Sequence, residues 1–468
     1  MPRYTIVIPL AAALAAATLV SPAASAPDGP DADAAKIALA TRTTRLANGL
    51  LVTIHEDHRT PIVAVNLWYH VGSKDEPPHK DGFAHLFEHL MFQGSKHVPE
   101  DTYFLDLERA GASNINGTTA SDRTNYFETV PKNRLELALW LESDRMGFLL
   151  DHVDQKTFAG QRDVVKNERR QNYENAPYGL VVQYVDEALF PPMHPYHHLT
   201  IGSPEDLDAA TLDDVKQFFR AHYVPNNASL VIAGDVDPEA TLKLVDQYFG
   251  PIPRGVVPVI PATTKVELQG EKRLEIEAGV ELARVEVAWP TPPYFAAGDG
   301  ELDLLAKALT GGKTSRLYKR LVYDDQIAQD VSAFQDSRQL GSKFGISATA
   351  KPGHTAEELL AAIDQELGKV QNAGLTDAEL ARARTAFLTE EAFGLETDSA
   401  RANTINNFVH YTNDPGYLPR NVARYEAATV ASVGDAARTY LPLGKRVVAL
   451  VKPVKGAPLA GRLARRTP

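Results

Sequence analysis

The sequence predicts an α+β protein of two similar domains, each a sheet with helices packed on it, and three observations lead there. The 468 residues exceed one ordinary core and suit two domains of about 200 residues each. The stretch from Pro251 to Pro261 holds four prolines in eleven residues, which forbids a regular helix and marks a boundary. Each side of that break mixes β-like runs with amphipathic helical ones, so the halves read as distant copies, although no fixed short repeat is visible.

The first residues stand apart from the fold. Arg3 gives a thin positive start, Ile6 to Val20 form a short apolar stretch, and Ala24-Ser25-Ala26 has the A-x-A form of a cleavage site. Residues 1–26 are therefore expected to be a signal peptide, with export to the periplasm or beyond and a mature chain starting near Pro27. The apolar stretch is short for a membrane span of roughly 20 residues. No later segment is apolar enough, so no span is expected after cleavage.

The mature chain then divides into a domain over 27–250, a Pro-rich linker over 251–264, and a second domain over 265–455. In the first, Leu51 to His55, Ile62 to Trp68 and Ala228 to Ala233 read as strands. In the second, Arg273 to Glu277, Ala283 to Trp289 and Val447 to Val451 do the same. Thr355 with Glu358, and Thr376 with Glu379, have the capping-box spacing of helix starts. Residues 456–468 contain Pro, Gly and several Arg and are expected to be a flexible tail.

Composition narrows the function. Apolar content of 44% and charged content of 23% are those of a globular chain. A net charge of -12 leaves no basic stripe for phosphates, so no nucleic-acid partner is expected. The sequence has no cysteine. Any metal must then be held by His, Asp or Glu.

Those residue types converge in Asp81 to Gly94, DGFAHLFEHLMFQG. At about 100° per residue with Phe83 at zero, Leu86, Phe87, Leu90 and Met91 fall at about 300°, 40°, 340° and 80°. They make one apolar stripe. His85, Glu88 and His89 fall opposite, at about 200°, 140° and 240°. Gly94 is placed to end the helix. Two histidines at i and i+4 can grip one zinc ion, which with three protein ligands keeps a position for water and lowers its pKa to about 7. Glu88, beside the metal, is then the general base and later the acid. The order H-x-x-E-H is the inverted zinc motif. The alternative is a polar helix face with two solvated histidines.

With this motif early in the mature chain and two similar halves, the sequence resembles the insulinase/pitrilysin family, which includes the mitochondrial processing peptidases. The resemblance covers essentially the whole chain after the signal peptide. It implies two domains of the processing-peptidase type, one zinc ion per chain, and a third ligand from a Glu on a later helix. Glu168, in DVVKNERR from Asp163, occupies that place. On a helix Gln161, Val165, Glu168 and Asn172 share one stripe, with Val164 flanking it. A carboxylate so placed is partly buried and wants a cation. Read alone, Glu168 is better taken as a surface residue of a charged segment, since Arg169 and Arg170 follow it; the histidine motif tips the reading to a ligand. Several family members carry a second Glu seven residues earlier, where this chain has Gln161.

Residues Gly111 to Tyr126 read alone as a loop or a poor edge strand. An exposed edge can also pair with an extended peptide through main-chain hydrogen bonds. The resemblance implies that use and matches Asn116-Gly117 to an Asn and small residue that position the peptide. The segment Met193 to His198, with Pro191, Pro192 and Pro195 in or before it, is a loop without ligand spacing, and its histidines are read as structural or surface groups.

In the second half, Gly311 to Gln329 includes Gly-Lys-Thr, but Lys307 stands where a phosphate loop needs its leading glycine. The stretch resembles the family's helix and turn that carry an Arg and a Tyr toward substrate. Val322 and Gln329 occupy those positions; Arg320 or Tyr323 could substitute only without a partner at the right spacing. The expectation is a zinc endopeptidase subunit acting on peptides or unfolded segments. It would work with a homologous chain that supplies the pair, as a heterodimer in preference to a homodimer. The rivals are a non-catalytic scaffold of the same fold and a zinc hydrolase of non-peptide substrates.

Overall fold

The computed structural model describes residues 37–256, residue 259 and residues 265–467. The expected signal peptide and half of the Pro-rich linker lie outside the described residues. Two six-stranded sheets organise the rest. The first contains β1 (Arg42–Arg45), β2 (Leu51–Glu56), β3 (Ile62–Tyr69), β4 (Ser113–Thr119), β5 (Thr124–Pro131) and β6 (Ala228–Gly234). The second contains β7 (Lys272–Ala278), β8 (Arg284–Thr291), β9 (Ala328–Asp336), β10 (Ser342–Ala350), β11 (Val447–Pro453) and β12 (Arg462–Arg466).

The spatial orders are β1-β2-β6-β3-β5-β4 and β12-β7-β11-β8-β10-β9. In each sheet the early strand runs parallel to the last long one, β2 with β6 and β7 with β11. In each, an antiparallel hairpin, β4-β5 or β9-β10, ends at an outer edge. The duplication inferred from the mix of strand and helix patterns on each side of the prolines is thus a duplication of topology. All six strands read from the sequence are present.

The outer strands break the symmetry. β1 comes from the start of the described chain and β12 from its end, each antiparallel to its neighbour. This corrects the expectation of a frayed tail. Arg462 to Arg466 pair with Leu274 to Glu277, and Arg462 forms an ion pair with Glu277 at 2.6 Å. Local composition favoured a tail, but the open edge of β7 supplied hydrogen-bond partners that a local reading cannot see.

Alternation along each strand places side chains on two faces. Val63, Val65, Leu67 and Tyr69 of β3 join the large core with Leu86, Phe87 and Leu90. On the opposite face, Ala64 meets Ala402, Ile405 and Val409 from the helix Asp398–Thr412 of the second half. The exchange is reciprocal. Val181, Val185 and Ala188 of the helix Val181–Leu189 cover Ile276, Ala288 and Ala449 of the second sheet. Covering on both faces explains why β3, β6 and β11 read as nearly continuous apolar runs. It also means that packing does not follow the division at the prolines.

Candidate metal centre

The H-x-x-E-H helix spans Phe83–Leu90. Phe83, Leu86, Phe87, Leu90 and Met91 are buried, as the stripe predicted. Phe87 stacks on Phe218 at 5.3 Å, and its carbonyl accepts from Tyr126 Oη at 3.3 Å. These contacts fix the buried face and turn His85, Glu88 and His89 outward. Regular helix stops at Leu90, four residues before Gly94. Phe92 N–H then bonds to His89 and Gln93 N–H to Leu90, tightening the last turn. Gly94, at φ 116°, redirects the chain.

The second contributing helix is Gln155–Arg169, started by Asp154, whose side chain accepts from Thr157 N–H. Val165 faces the core, Val164 is exposed, and Glu168 is half-buried. The fold brings the two helices together, so His85 Nε2 stands 3.2 Å and His89 Nε2 3.3 Å from the same Glu168 oxygen, Oε2. The other oxygen accepts from Asn172 Nδ2 at 3.3 Å. Donors about 2.0–2.1 Å from a tetrahedral zinc stand about 3.3 Å from one another. Both separations from Glu168 match such an ion, the three ligand atoms lie within 4.8 Å of one another, and their donor types suit it.

Glu88 lies beside this triad. Its Oε2 accepts from Thr119 Oγ1 at 2.6 Å and lies 3.4 Å from His85 Nδ1. Electrostatics follow from the crowding. Burial lowers the His85 pKa, but the carboxylates of Glu168 and Glu88 outweigh it and raise it to about 9. His89 is lowered, by burial and then by the neighbouring His85. The hydrogen bond from His85 holds Glu168 below the usual carboxylate range. A cation is the natural counterpart of two carboxylates around two imidazoles.

The segment read as loop or edge strand holds β4, at the rim of the first sheet and paired on one side with β5, together with the turn and the first residues of β5. Gly117 is buried on the face toward Glu88, and Thr119 shares that face by alternation. Asn116 is exposed on the opposite face, and its Oδ1 accepts from Gly117 N–H at 2.9 Å. Of the two strand residues singled out, only Gly117 touches Glu88. Thr119 was missed. Counting by twos from Gly117 was the signal that would have found it.

Two other sequence readings meet their surroundings here. His198 joins Glu76 and Asp81 in a second cluster of three donors within 4.8 Å. Both Glu76 oxygens already accept backbone N–H groups, from Gly82 at 2.9 Å and Ala84 at 2.8 Å, so the cluster caps a helix. Arg320 is bound to Glu366 at 2.9 Å and Gln365 at 2.6 Å. Val322 packs partly buried against the second core, and Gln329 is exposed on β9.

Fold and candidate site together have the layout of the metallopeptidase class. Residues 51–194 match the family model described as insulinase (peptidase family M16), and residues 209–387 match the one described as the peptidase M16 inactive domain. The chain belongs to the insulinase/pitrilysin family, as a half-size subunit of it. It is similar to the zinc protease PqqE of Helicobacter pylori, 29% identical over 78% of this chain and 82% of that one. It is 23% identical to the β subunit of the mitochondrial processing peptidase of Saccharomyces cerevisiae, over 79% of this chain and 82% of that one. Among solved structures, a protease from Helicobacter pylori superposes with a TM-score of 0.83 at 27% identity. That likeness covers 89% of this chain and all of the other. No helix among the described residues is long and apolar enough to cross a membrane.

Proposed function

We propose that this chain is the zinc-bearing subunit of an exported endopeptidase that cleaves peptides or unfolded segments. The observation that carries the reading is the meeting of His85, His89 and Glu168 at ligand spacing, with Glu88 beside them and outside the set. Those three residues would hold one zinc ion, which supplies a Lewis acid that polarises a carbonyl and lowers the pKa of water. Glu88 takes a proton from the attacking water and delivers it to the departing amine. The Thr119 hydroxyl orients its carboxylate for that transfer.

β4 offers its free edge to an extended peptide through main-chain groups. Asn116 would contribute there from the outer face, and Gly117 keeps the space beside Glu88 open. The contacts from the facing side come from elsewhere. Val322 and Gln329 replace the Arg and Tyr that the family uses, and Arg320 is already committed to Glu366 and Gln365. A homologous partner chain would supply the pair. Export rests on the N-terminal leader, whose Ala24-Ser25-Ala26 would be the cleavage site.

The reading is tested by the metal content of the purified chain and by a panel of quenched peptides set against small esters and amides. One zinc per chain with cleavage confined to peptides supports it. A metal-free, inactive chain, mixed or alone, would return it to a scaffold.

A further inference from the structure

The two ligand-bearing helices are far apart in sequence, and one short loop touches the start of the first and the end of the second. At one side, His198 Nε2 lies 3.0 Å from Glu76 Oε2. The Glu76 side chain is fully buried and receives the first N–H groups of the Phe83–Leu90 helix, from Gly82 and Ala84. A carboxylate there satisfies orphan donors and opposes the positive end of the helix.

At the other side, the residue after Glu168 is Arg169, and it is buried. Its Nη1 donates to the Gly202 carbonyl at 2.6 Å, its Nη2 to Gln183 Oε1 at 2.8 Å, and its Nε to Glu174 Oε1 at 3.2 Å. The planar fork thus ties the last turn of the ligand helix to the Gly202 loop and to the Gln183 helix, and to Glu174 in the turn that continues it.

Gly202 closes the circuit. It sits at φ 76°, and a β-carbon there would come 2.2 Å from the Asp81 carbonyl and 2.3 Å from Gly82 Cα. Gly82, in turn, is the residue that opens the histidine helix, at φ 101°. Backbone therefore lies on backbone where the loop crosses the helix start. A shift of Gly202 moves both helices or breaks one contact.

We infer that Glu76, His198 and Arg169 are positioning residues that set the separation between the histidine pair and Glu168 through the His198–Gly202 loop. The inference rests on the reading of those three ligands as a zinc site. Metal sites tolerate ligand displacements of about 0.2 Å. A bridge of direct hydrogen bonds and backbone-on-backbone glycine contacts adds a directional restraint on how the two helices sit relative to one another. Partners of this kind, outside the ligands, typically contribute 10–100-fold to metal affinity.

The test uses the full chain stripped of metal and titrated with Zn2+ against a chelating dye. It is also loaded with Co2+, whose visible bands report coordination geometry. The variants are Arg169→Gln, Arg169→Lys and His198→Leu, with His85→Ala as the control for the zinc site. Arg169→Gln and His198→Leu should each weaken zinc binding about 10–100-fold and alter the cobalt bands, while the metal-free proteins keep their thermal midpoint. Arg169→Lys keeps the charge but not the fork and should fall between. Two independent contacts are probed, so failure of one variant to fold leaves the other to decide. If His85→Ala loses zinc while both bridge variants bind with parental affinity and spectrum, the positioning role is overturned and the zinc site stands. Loss of affinity matched by loss of metal-free folded protein overturns it too. If His85→Ala binds zinc like the parent, the zinc reading falls and the bridge with it.

Discussion

Gly117 lies against Glu88 so closely that a β-carbon between them would be a tight fit. A β-carbon on Gly117 would stand 3.1 Å from Glu88 Cγ, and also 3.0 Å from Phe92 Cε2 and 3.1 Å from Tyr126 Cδ1. Its φ is ordinary, so space and not backbone conformation limits the residue here, and a larger one needs its neighbours to give by a few tenths of an ångström. The β4 edge, where a peptide would lie, is thereby brought onto the carboxylate that would move the proton.

Gly117→Ala is expected to leave zinc content unchanged and to lower turnover about 10-fold or more. Small displacements of a reacting group carry costs of that order. Steady-state kinetics on zinc-quantified protein check it; parental turnover would show that Glu88 has slack on that side.

Glu168→Ala should lower zinc affinity at least ~100-fold, beyond the usual effect of a residue outside the ligand set. Glu168→Gln should also weaken it. Dialysis against a mild chelator followed by metal analysis decides, and undiminished zinc would place the third ligand elsewhere.

The chain alone is expected to be a poor peptidase that gains turnover when mixed with a homologue carrying an Arg and Tyr where Val322 and Gln329 stand. Contacts that orient the substrate act on turnover and not only on affinity. The assay compares the isolated chain with the mixture. Full activity from the isolated chain, unchanged on mixing, would refute the partner and leave the zinc site untouched.

Acid should destabilise the joint between the halves. His70 on the first half and His410 on the helix Asp398–Thr412 meet with their Nδ1 atoms 2.6 Å apart and rings stacked at 4.9 Å. Burial, then the charges of Lys74 and Arg45, lowers His70 to about 4. Burial, then His70, Lys74 and Arg123, lowers His410. The unfolded chain binds these protons near the ordinary value of 6.5 and the folded one only below it. Stability is therefore fully present above pH 6.5 and falls as pH drops toward 4. His70 alone accounts for on the order of 3 kcal/mol across that window. Thermal midpoints of the full chain across pH 4.5–7.5 should fall with acid, and less steeply in His410→Gln. An equal slope would remove the pair as the cause.

How much of this was legible in the sequence depends on how local each signal is. The histidine helix was, because its stripe and its polar face both lie within one short segment. Glu168 was readable only with the family's spacing in hand, since Arg169 and Arg170 make its neighbourhood look like a solvated surface. In the structure Arg169 is buried, because Gly202 and Gln183 come in from later segments and Glu174 folds back from the turn that follows the helix. The partners of Glu76 and His198 were invisible for the same reason. β12 was missed because its pairing depends on the open edge of β7, which no window around residue 462 contains. The orientation of β4 was available by alternation, and it separates Asn116 from Gly117.

The central claim is that Glu88 moves the proton while His85, His89 and Glu168 hold the metal. The most direct measurement is peptide turnover by Glu88→Gln, made on protein whose zinc content and thermal midpoint are determined in the same preparation, alone and with the homologous chain. Loss of a general acid–base group costs about 10²–10⁴-fold. The account predicts one zinc per chain, a parental midpoint and turnover lower by at least that much. Zinc-loaded Glu88→Gln cleaving peptide at the parental rate would contradict it.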